Sequence, residues 1–299
     1  MRTGSTRAPG RLKDSSASGL DCATAFQKIA LGCVASIKAH HSSACAGDAE
    51  AVHQIRVAIT RLRAAVSFFA PMTVDAEWPR LRMEIAWLNA SLGDARDSDV
   101  MVDYARRKRY RAWARPMIDQ GLDQRQLRDH RLLVRCLRAP RFRRLTEAIS
   151  GWLRRGPWLE RWKKAARRNG AEPLQAYCEH ELNRWRLRLI RNGRHLKTLN
   201  ASRRHNVRIK AKRFRYMLEA MADVGVAHSS GAYRRLRRPA KRLQRALGDL
   251  RDLRRFAGLA ACLSGVEDGE RRPPDYRRQR DKLLGAAVEA CRDLRRTGV

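Results

Sequence analysis

Acidic residues are scarce in this chain: 30 Asp and Glu stand against 65 Lys and Arg in 299 residues, a formal net charge of +35. Charge of that size opposes compaction unless a polyanion neutralises it, so the expected partner is nucleic acid, an acidic membrane surface or another polyphosphate. Long apolar runs are also missing. None approaches the roughly 18 residues that a membrane-spanning helix needs, so no membrane insertion is expected. The first twenty residues are basic and rich in Ser and Gly, without the apolar stretch of a secretory signal, and residues 1–20 read as a disordered basic tail. The seven cysteines (Cys22, Cys33, Cys45, Cys136, Cys178, Cys262 and Cys291) form no C-x-x-C pair and are odd in number. Neither a disulfide framework nor a structural zinc site is expected, and a reducing, cytoplasmic compartment fits. No phosphate-binding loop, dinucleotide fingerprint, H-E-x-x-H, nucleophile elbow or zinc signature occurs. With no cofactor or metal site to assemble, the chain reads as a binding protein and not as an enzyme.

What is present is arginine and helical periodicity. Of the 65 basic residues 54 are Arg, whose planar fork meets phosphate oxygens two at a time. The apolar share of 43% is enough for a core. Apolar residues recur at three- and four-residue spacing, β-branched runs are absent, and no Asn-Gly or Asp-Gly hairpin signal separates alternating segments. An all-α fold follows. Helices are predicted near 22–40, 49–70, 77–92, 95–113, 117–138 and 140–155, then 174–192, 202–223, 232–247, 250–264 and 275–296. Gly156-Pro157 and the stretch from Asn169 to Pro173 punctuate a basic connector over 156–173.

An internal repeat sets the expected organisation. Residues 53–66 read HQIRVAITRLRAAV and residues 205–218 read HNVRIKAKRFRYML, at an offset of 152. His53, Arg56, Arg61 and Arg63 thereby match His205, Arg208, Arg213 and Arg215. A second block follows each copy: RLRMEIAWLNASLGDARD ends at Asp97 and RLRRPAKRLQRALGDLRD at Asp252, at an offset of 155. Two blocks in one order at nearly equal offsets indicate a tandem duplication, with helical repeats over 22–155 and 174–296.

On a helix turning 100° per residue, Arg56, Thr60 and Arg63 fall in one stripe with His53, beside an apolar face of Ile55, Ile59, Leu62 and Val66. His205, Arg208, Lys212 and Arg215 form the second stripe, with Tyr216 at its edge. Val207, Ala211, Phe214 and Leu218 make the second apolar face. Each helix thus presents about one cation per turn, a geometry suited to a linear polyanion. A solvated basic face is the alternative, and the duplication weighs against it. Neither histidine has a second His one turn away, and neither helix shows an acidic residue near its stripe. The rings are therefore read as anion contacts or as packed structural groups in preference to metal ligands.

The Leu-Gly-Asp-x-Arg-Asp blocks read first as structural. Gly93 and Gly248 are expected to end helices, Asp94 and Asp249 to cap the next ones, and Asp97 and Asp252 to sit in the following first turn. The functional alternative has Asp97 and Asp252 pairing with stripe arginines while Arg96 and Arg251 face the ligand. The arginine runs 106–111, 161–168, 184–194 and 234–245 read as solvated faces, and Trp87, Trp152 and Trp185 as core.

His-x-x-Arg-x-x-x-x-Arg-x-Arg on a helix, followed some 40 residues later by Leu-Gly-x-x-Arg-Asp, all occurring twice, resembles the CHAD domain (conserved histidine α-helical domain), over residues 22–296. The resemblance implies two pseudo-symmetric helical bundles around a basic central groove or pore that binds inorganic polyphosphate, with targeting to polyphosphate granules. Carried over by motif, the binding set is His53, Arg56, Arg61 and Arg63 with His205, Arg208, Lys212, Arg213 and Arg215. The family pattern has a basic residue where this chain has Thr60, which implies a weaker first half-site. Nucleic acid stays as the alternative ligand, although no helix-turn-helix, zinc or aromatic-platform motif supports it.

Overall fold

The computed structural model describes residues 20–170, 172–226, 231–264 and 272–297, and these are helical with no strand among them. Residues 1–19 of the expected tail lie outside the described residues. Helix α1 (Cys22–Ala39) starts where the Asp21 carboxylate accepts from the Thr24 N–H at 2.7 Å. After a short α2 (His41–Cys45), α3 (Ala49–Phe68) starts in the same way at Asp48. A further short turn, α4 (Ala70–Thr73), leads into α5 (Trp78–Arg106). Helices α6 (Arg111–Asp119), α7 (Leu122–Arg138), α8 (Pro140–Arg155), α9 (Pro157–Asn169) and α10 (Leu174–Asn192) follow. Then come α11 (Ala201–Asp223), capped by the Asn200 side chain, α12 (Gly231–Ser264) and α13 (Tyr276–Arg296).

The apolar stripes decide the packing. Ile55, Ile59, Leu62 and Val66 of α3 are buried, as are Val207, Ala211, Phe214 and Leu218 of α11. Helix α3 lies against α1 and α5, and α11 against α10 and α12. The two groups meet where α3 packs on α11 and α5 on α12. The main core runs through both groups without interruption. A second, smaller core gathers Met101, Tyr104, Tyr110 and Met117 of the α5–α7 segment around Phe256 of α12. At the far end Asp75 is buried and accepts from the Trp152 indole at 3.0 Å and from the Trp78 N–H at 3.0 Å. It thereby fixes the start of α5 against an aromatic cluster of Phe26, Trp78, Trp152 and Trp158.

Four expectations are corrected. Gly93 and Gly248 do not end helices: α5 and α12 run through them, and neither glycine has a positive φ. The apolar period overrides the glycine. Leu88, Leu92 and Ala95 continue the buried stripe on α5, as do Leu243, Leu247 and Leu250 on α12, and an interior glycine costs only about 1 kcal/mol. Asp94 and Asp249 accordingly cap nothing and lie mid-helix, exposed. The connector 156–173 contains a helix, α9, because Trp158 is fully buried against the aromatic cluster and anchors it. Within the 184–194 run, Arg186 is buried. It donates to the carbonyls of Leu294 and Thr297 at 3.0 and 2.9 Å, closing the C-terminus of α13. Trp152 is core as expected, and Trp87 and Trp185 pack partly buried against it.

Candidate functional site

The crossing of α3 and α11 brings equivalent positions of the sequence repeat into contact. Lys212 Nζ donates to Thr60 Oγ1 at 3.3 Å, across the repeat offset of 152 residues. Thr60 in turn donates to the Arg56 carbonyl at 2.8 Å. A lysine at both positions would set two ammonium groups against each other. Threonine at one of them turns that repulsion into a hydrogen bond. Thr60 is therefore better understood as the partner of Lys212 than as a missing contact.

Around this point the cations accumulate. Burial, reinforced by Arg208, Arg56, Arg215 and Arg251, pushes the Lys212 ammonium down from 10.5 to about 7. Burial also lowers the pKa of Arg56 and of Arg208. Asp97 opposes the shift at Arg56, and Asp252 and Asp97 oppose it at Arg208, while Arg251 adds to both. His53 is held below 6.5 by burial and then by Arg96, with Lys212 and Arg56 adding and Glu50 opposing. His205, more exposed, is lowered by burial, Arg208 and Arg251. Nine sequence-selected residues thus form one electrostatic neighbourhood: His53, Arg56, Arg96, Asp97, His205, Arg208, Lys212, Arg251 and Asp252. Burial, then Arg82, lowers the pKa of Arg63, and burial, then Arg63, lowers that of Arg213.

The glycines of the second block acquire a function from this geometry. A Cβ at Gly93 would stand 3.4 Å from Arg56 Nη1, and one at Gly248 would stand 3.7 Å from Arg208 Nε. Each bare backbone on α5 or α12 is the floor beneath a stripe guanidinium from the neighbouring helix. Those same atoms, Arg56 Nη1 and Arg208 Nε, are buried without a hydrogen-bond partner in the described structure. An unsatisfied buried donor costs about 1–3 kcal/mol, and more when charged.

The carboxylates divide unequally. Asp97 Oδ1 accepts from Arg251 Nη2 at 2.9 Å and its Oδ2 from Arg255, which ties α5 to α12. Its partners are thus arginines of α12, Arg251 inside the second block and Arg255 just beyond it, and not of the stripes. Arg251 consequently faces both Asp97 and the cluster, whereas Arg96 has no ion-pair partner among the described residues. Asp252 has no ion pair among the described residues, and burial raises its pKa against the pull of Arg251 and Arg208.

Glu219 was missed by the sequence reading, and the expectation that no acid lies near the stripes is corrected. It pairs with Arg215 one turn earlier on α11 and with Arg61 of α3 at 3.0 Å. The i,i+4 spacing of Arg215 and Glu219 was the available signal. Tyr216 lies beside this knot, with Arg215 Cζ 4.4 Å, Arg61 Cζ 5.4 Å and Lys212 Nζ 5.6 Å from its ring centre. Arg61 and Arg215 therefore have carboxylate partners, which Arg56 and Arg208 lack among the described residues, although Arg61 Nε and Arg184 Nε are also buried without a partner. Among the described residues no group of three His, Cys, Asp or Glu is placed to hold a metal, and no helix is long and apolar enough to cross a membrane.

Comparison with known proteins gives the fold an independent footing. The chain overlays on a crystal structure of the CHAD domain from the plant Ricinus communis with a TM-score of 0.70 and 23% identity, covering 97% of each chain. It overlays on PptA from Streptomyces chartreusis with a TM-score of 0.58 and 16% identity, covering 92% of this chain and 95% of that one. No curated protein matches it. The CHAD domain family model matches residues 28–261, most of the chain, and with the doubled His/Arg and Leu-Gly-Asp blocks inside that span the chain belongs to the CHAD domain family.

Proposed function

We propose that this protein binds inorganic polyphosphate, without turning it over, in a basic groove built by two duplicated halves. Residues 22–155 and 174–296 would each contribute one cation column. The observation that carries the reading is the cluster of Arg56, Arg208, Lys212 and Arg251, in which two buried guanidinium nitrogens have no internal partner. Proteins rarely leave buried charged donors unsatisfied, and a chain of phosphates supplies acceptors at short, regular intervals. The choice of polyphosphate over other polyanions follows the family resemblance. A cytoplasmic protein carrying such a groove would associate with polyphosphate granules. The absence of enzymatic turnover is part of the proposal: the carboxylates nearest the cluster are occupied by arginines or flanked by them.

The test is competition. Labelled long-chain polyphosphate is displaced by unlabelled polyphosphate, duplex DNA or single-stranded RNA at equal phosphate count and about 0.15 M salt, where exposed charges are screened beyond about 8 Å. Polyphosphate is expected to win by at least tenfold. Arg56→Ala with Arg208→Ala should weaken it by roughly two to four powers of ten, since charge-assisted bonds are worth about 1.5–3 kcal/mol each. The equal-charge control Arg155→Ala with Arg168→Ala, on exposed faces of α8 and α9, should cost far less. Equal competition by duplex DNA, or equal loss in the two doubles, would mean a merely sticky surface. Orthophosphate released above background with Mg²⁺ or Mn²⁺, and abolished by replacing Asp97 and Asp252, would make the protein an enzyme instead.

A further inference from the structure

Beside the central cluster the α11–α12–α13 corner holds a cleft of about 470 Å³ in which every charged lining group is basic. It begins at Arg208 and Arg251, and Arg204, Arg254 and Arg280 continue it outward. A second cleft of about 430 Å³ shares Arg204 and Arg280 with the first and is lined further by Lys197, Leu284 and one carboxylate, Asp281. Arg204, Arg208 and Lys212 stand at successive four-residue intervals on α11, about 6 Å apart along the axis, so the stripe gains one more step outward. Arg254 and Lys197 are exposed, and neither has an ion-pair partner among the described residues. Arg280 is tied to the neighbouring Asp281 at 2.8 Å, and the Arg204 guanidinium donates to the Leu199 carbonyl. Burial, then Arg254 and Arg280, lower the pKa of Arg204, a sign that these charges crowd one another.

The first repeat has no equivalent path. At the two repeat offsets, Arg204 corresponds to Val52, which is fully buried, and Arg254 to Asp99. Asp99 is buried and accepts from Gln126 Nε2 at 2.8 Å and from His130 Nε2 at 2.7 Å, clamping α7 onto α5. The nearby cleft on that side is lined by Asp94, Asp97 and Asp129, with Arg125 and Arg255. A polyanion meets apolar packing and three carboxylates in that direction. In the other it meets Arg204, Arg254, Arg280 and Lys197 against the single carboxylate Asp281, with Arg254 and Lys197 unpaired among the described residues.

We infer that a bound polyphosphate chain leaves the central cluster on one side only, along a track from Arg208 and Arg251 past Arg254, Arg204 and Arg280 to Lys197. This rests on the polyphosphate reading and adds to it a direction and a source of chain-length preference. Short chains fill the cluster alone. Long chains gain the track, so affinity rises with length until Lys197 is reached.

The test reverses charge at two exposed positions, where folding is not at stake. Lys197→Glu with Arg254→Glu is compared with the equal-charge control Lys164→Glu with Arg168→Glu on α9, each with its melting temperature checked against the parent protein. Affinities for tripolyphosphate and for long-chain polyphosphate are measured in all three. The track double is expected to lose at least tenfold for the long chain and no more than about threefold for tripolyphosphate, and the control no more than about threefold for either. Equal losses in the two doubles for the long chain would overturn the track, as would a track double that loses tripolyphosphate and long chain by the same large factor. If the parent protein binds duplex DNA as tightly as polyphosphate, the ligand assignment falls, and the track falls with it as a polyphosphate path.

Discussion

On α3 the position four residues after Arg56 holds Thr60, and on α11 the position four residues after Arg208 holds Lys212. The two side chains touch, so the repeats differ where they meet. They differ again on α5 and α12, where Asp97 holds two arginines and its counterpart Asp252 holds none among the described residues. They differ a third time at the flanks, Val52 and Asp99 against Arg204 and Arg254. What the repeats keep in common is the arginine over a glycine: Arg56 above Gly93 and Arg208 above Gly248. The lesson is that the pair of helices carrying the unsatisfied guanidinium groups is fixed, while the charges around it differ enough to give the two sides different electrostatics.

The unequal carboxylates offer the strongest way to break this comparison. Asp97→Asn removes two ion pairs that join α5 to α12 and should cost roughly 1–2 kcal/mol, read as a lower urea midpoint at pH 7. Asp252→Asn should be neutral or slightly stabilising, because the fold raises the pKa of that carboxyl and so disfavours its charge. Equal destabilisation by both would show that the two aspartates do the same work.

A smaller effect sharpens the Thr60–Lys212 contrast. The Lys212 pKa falls from 10.5 to about 7 in the fold, so between those values the unfolded chain binds the extra proton. Stability should therefore decline as pH drops from about 10.5 to 7 and level off below. Phosphate acceptors favour the protonated form, so polyphosphate affinity should weaken as pH rises from 6.5 to 8.5, by at most about tenfold per pH unit for one proton. Both histidines titrate below 6.5 and the arginines stay charged, so Lys212→Met should flatten the profile in that window. An unchanged slope would assign the proton elsewhere.

The smallest effect concerns the glycines. A Cβ at 248 meets Arg208 at ordinary contact distance, 3.7 Å, so Gly248→Ala should raise the melting temperature by a few degrees through helix propensity and keep binding within about twofold. Gly93→Ala, at 3.4 Å from Arg56, should gain less. A melting temperature that falls in either variant would show that the guanidinium cannot accommodate even a methyl group.

Much of this molecule was legible in its sequence, for identifiable reasons. The three- and four-residue period placed α1, α3, α8, α10, α11 and α13 near their observed limits, because burial of one stripe is what holds each helix. Five stripe and block cations, Arg56, Arg96, Arg208, Lys212 and Arg251, come together because they are repeated on helices that must face each other. The errors arose where a local rule met a longer-range one. A glycine before an aspartate reads as a helix end, but Leu88, Leu92 and Ala95 keep α5 in the core straight through Gly93. Proline and glycine around 156–173 read as a connector, but Trp158 supplies enough buried surface to hold a helix there. Glu219 lies one turn beyond Arg215, past the end of the repeated motif, and only the packing of α3 on α11 brings it to Arg61. The cation-lined cleft at the α11–α12–α13 corner could not be read at all, since Arg204, Arg254 and Arg280 are joined only by tertiary packing.

A fold that leaves Arg56 Nη1 and Arg208 Nε unsatisfied has set part of its own stability aside. On the proposed reading that reserve is returned when acceptors arrive, by RT ln(1 + [L]/Kd), about 2.7 kcal/mol at a hundredfold ligand excess over Kd. In a cell where the unfolded fraction is continually removed by proteases, such a difference sets how long a molecule survives. The supply of polyanion would then govern the standing amount of this protein as well as its occupancy, with no regulator beyond the two arginines themselves.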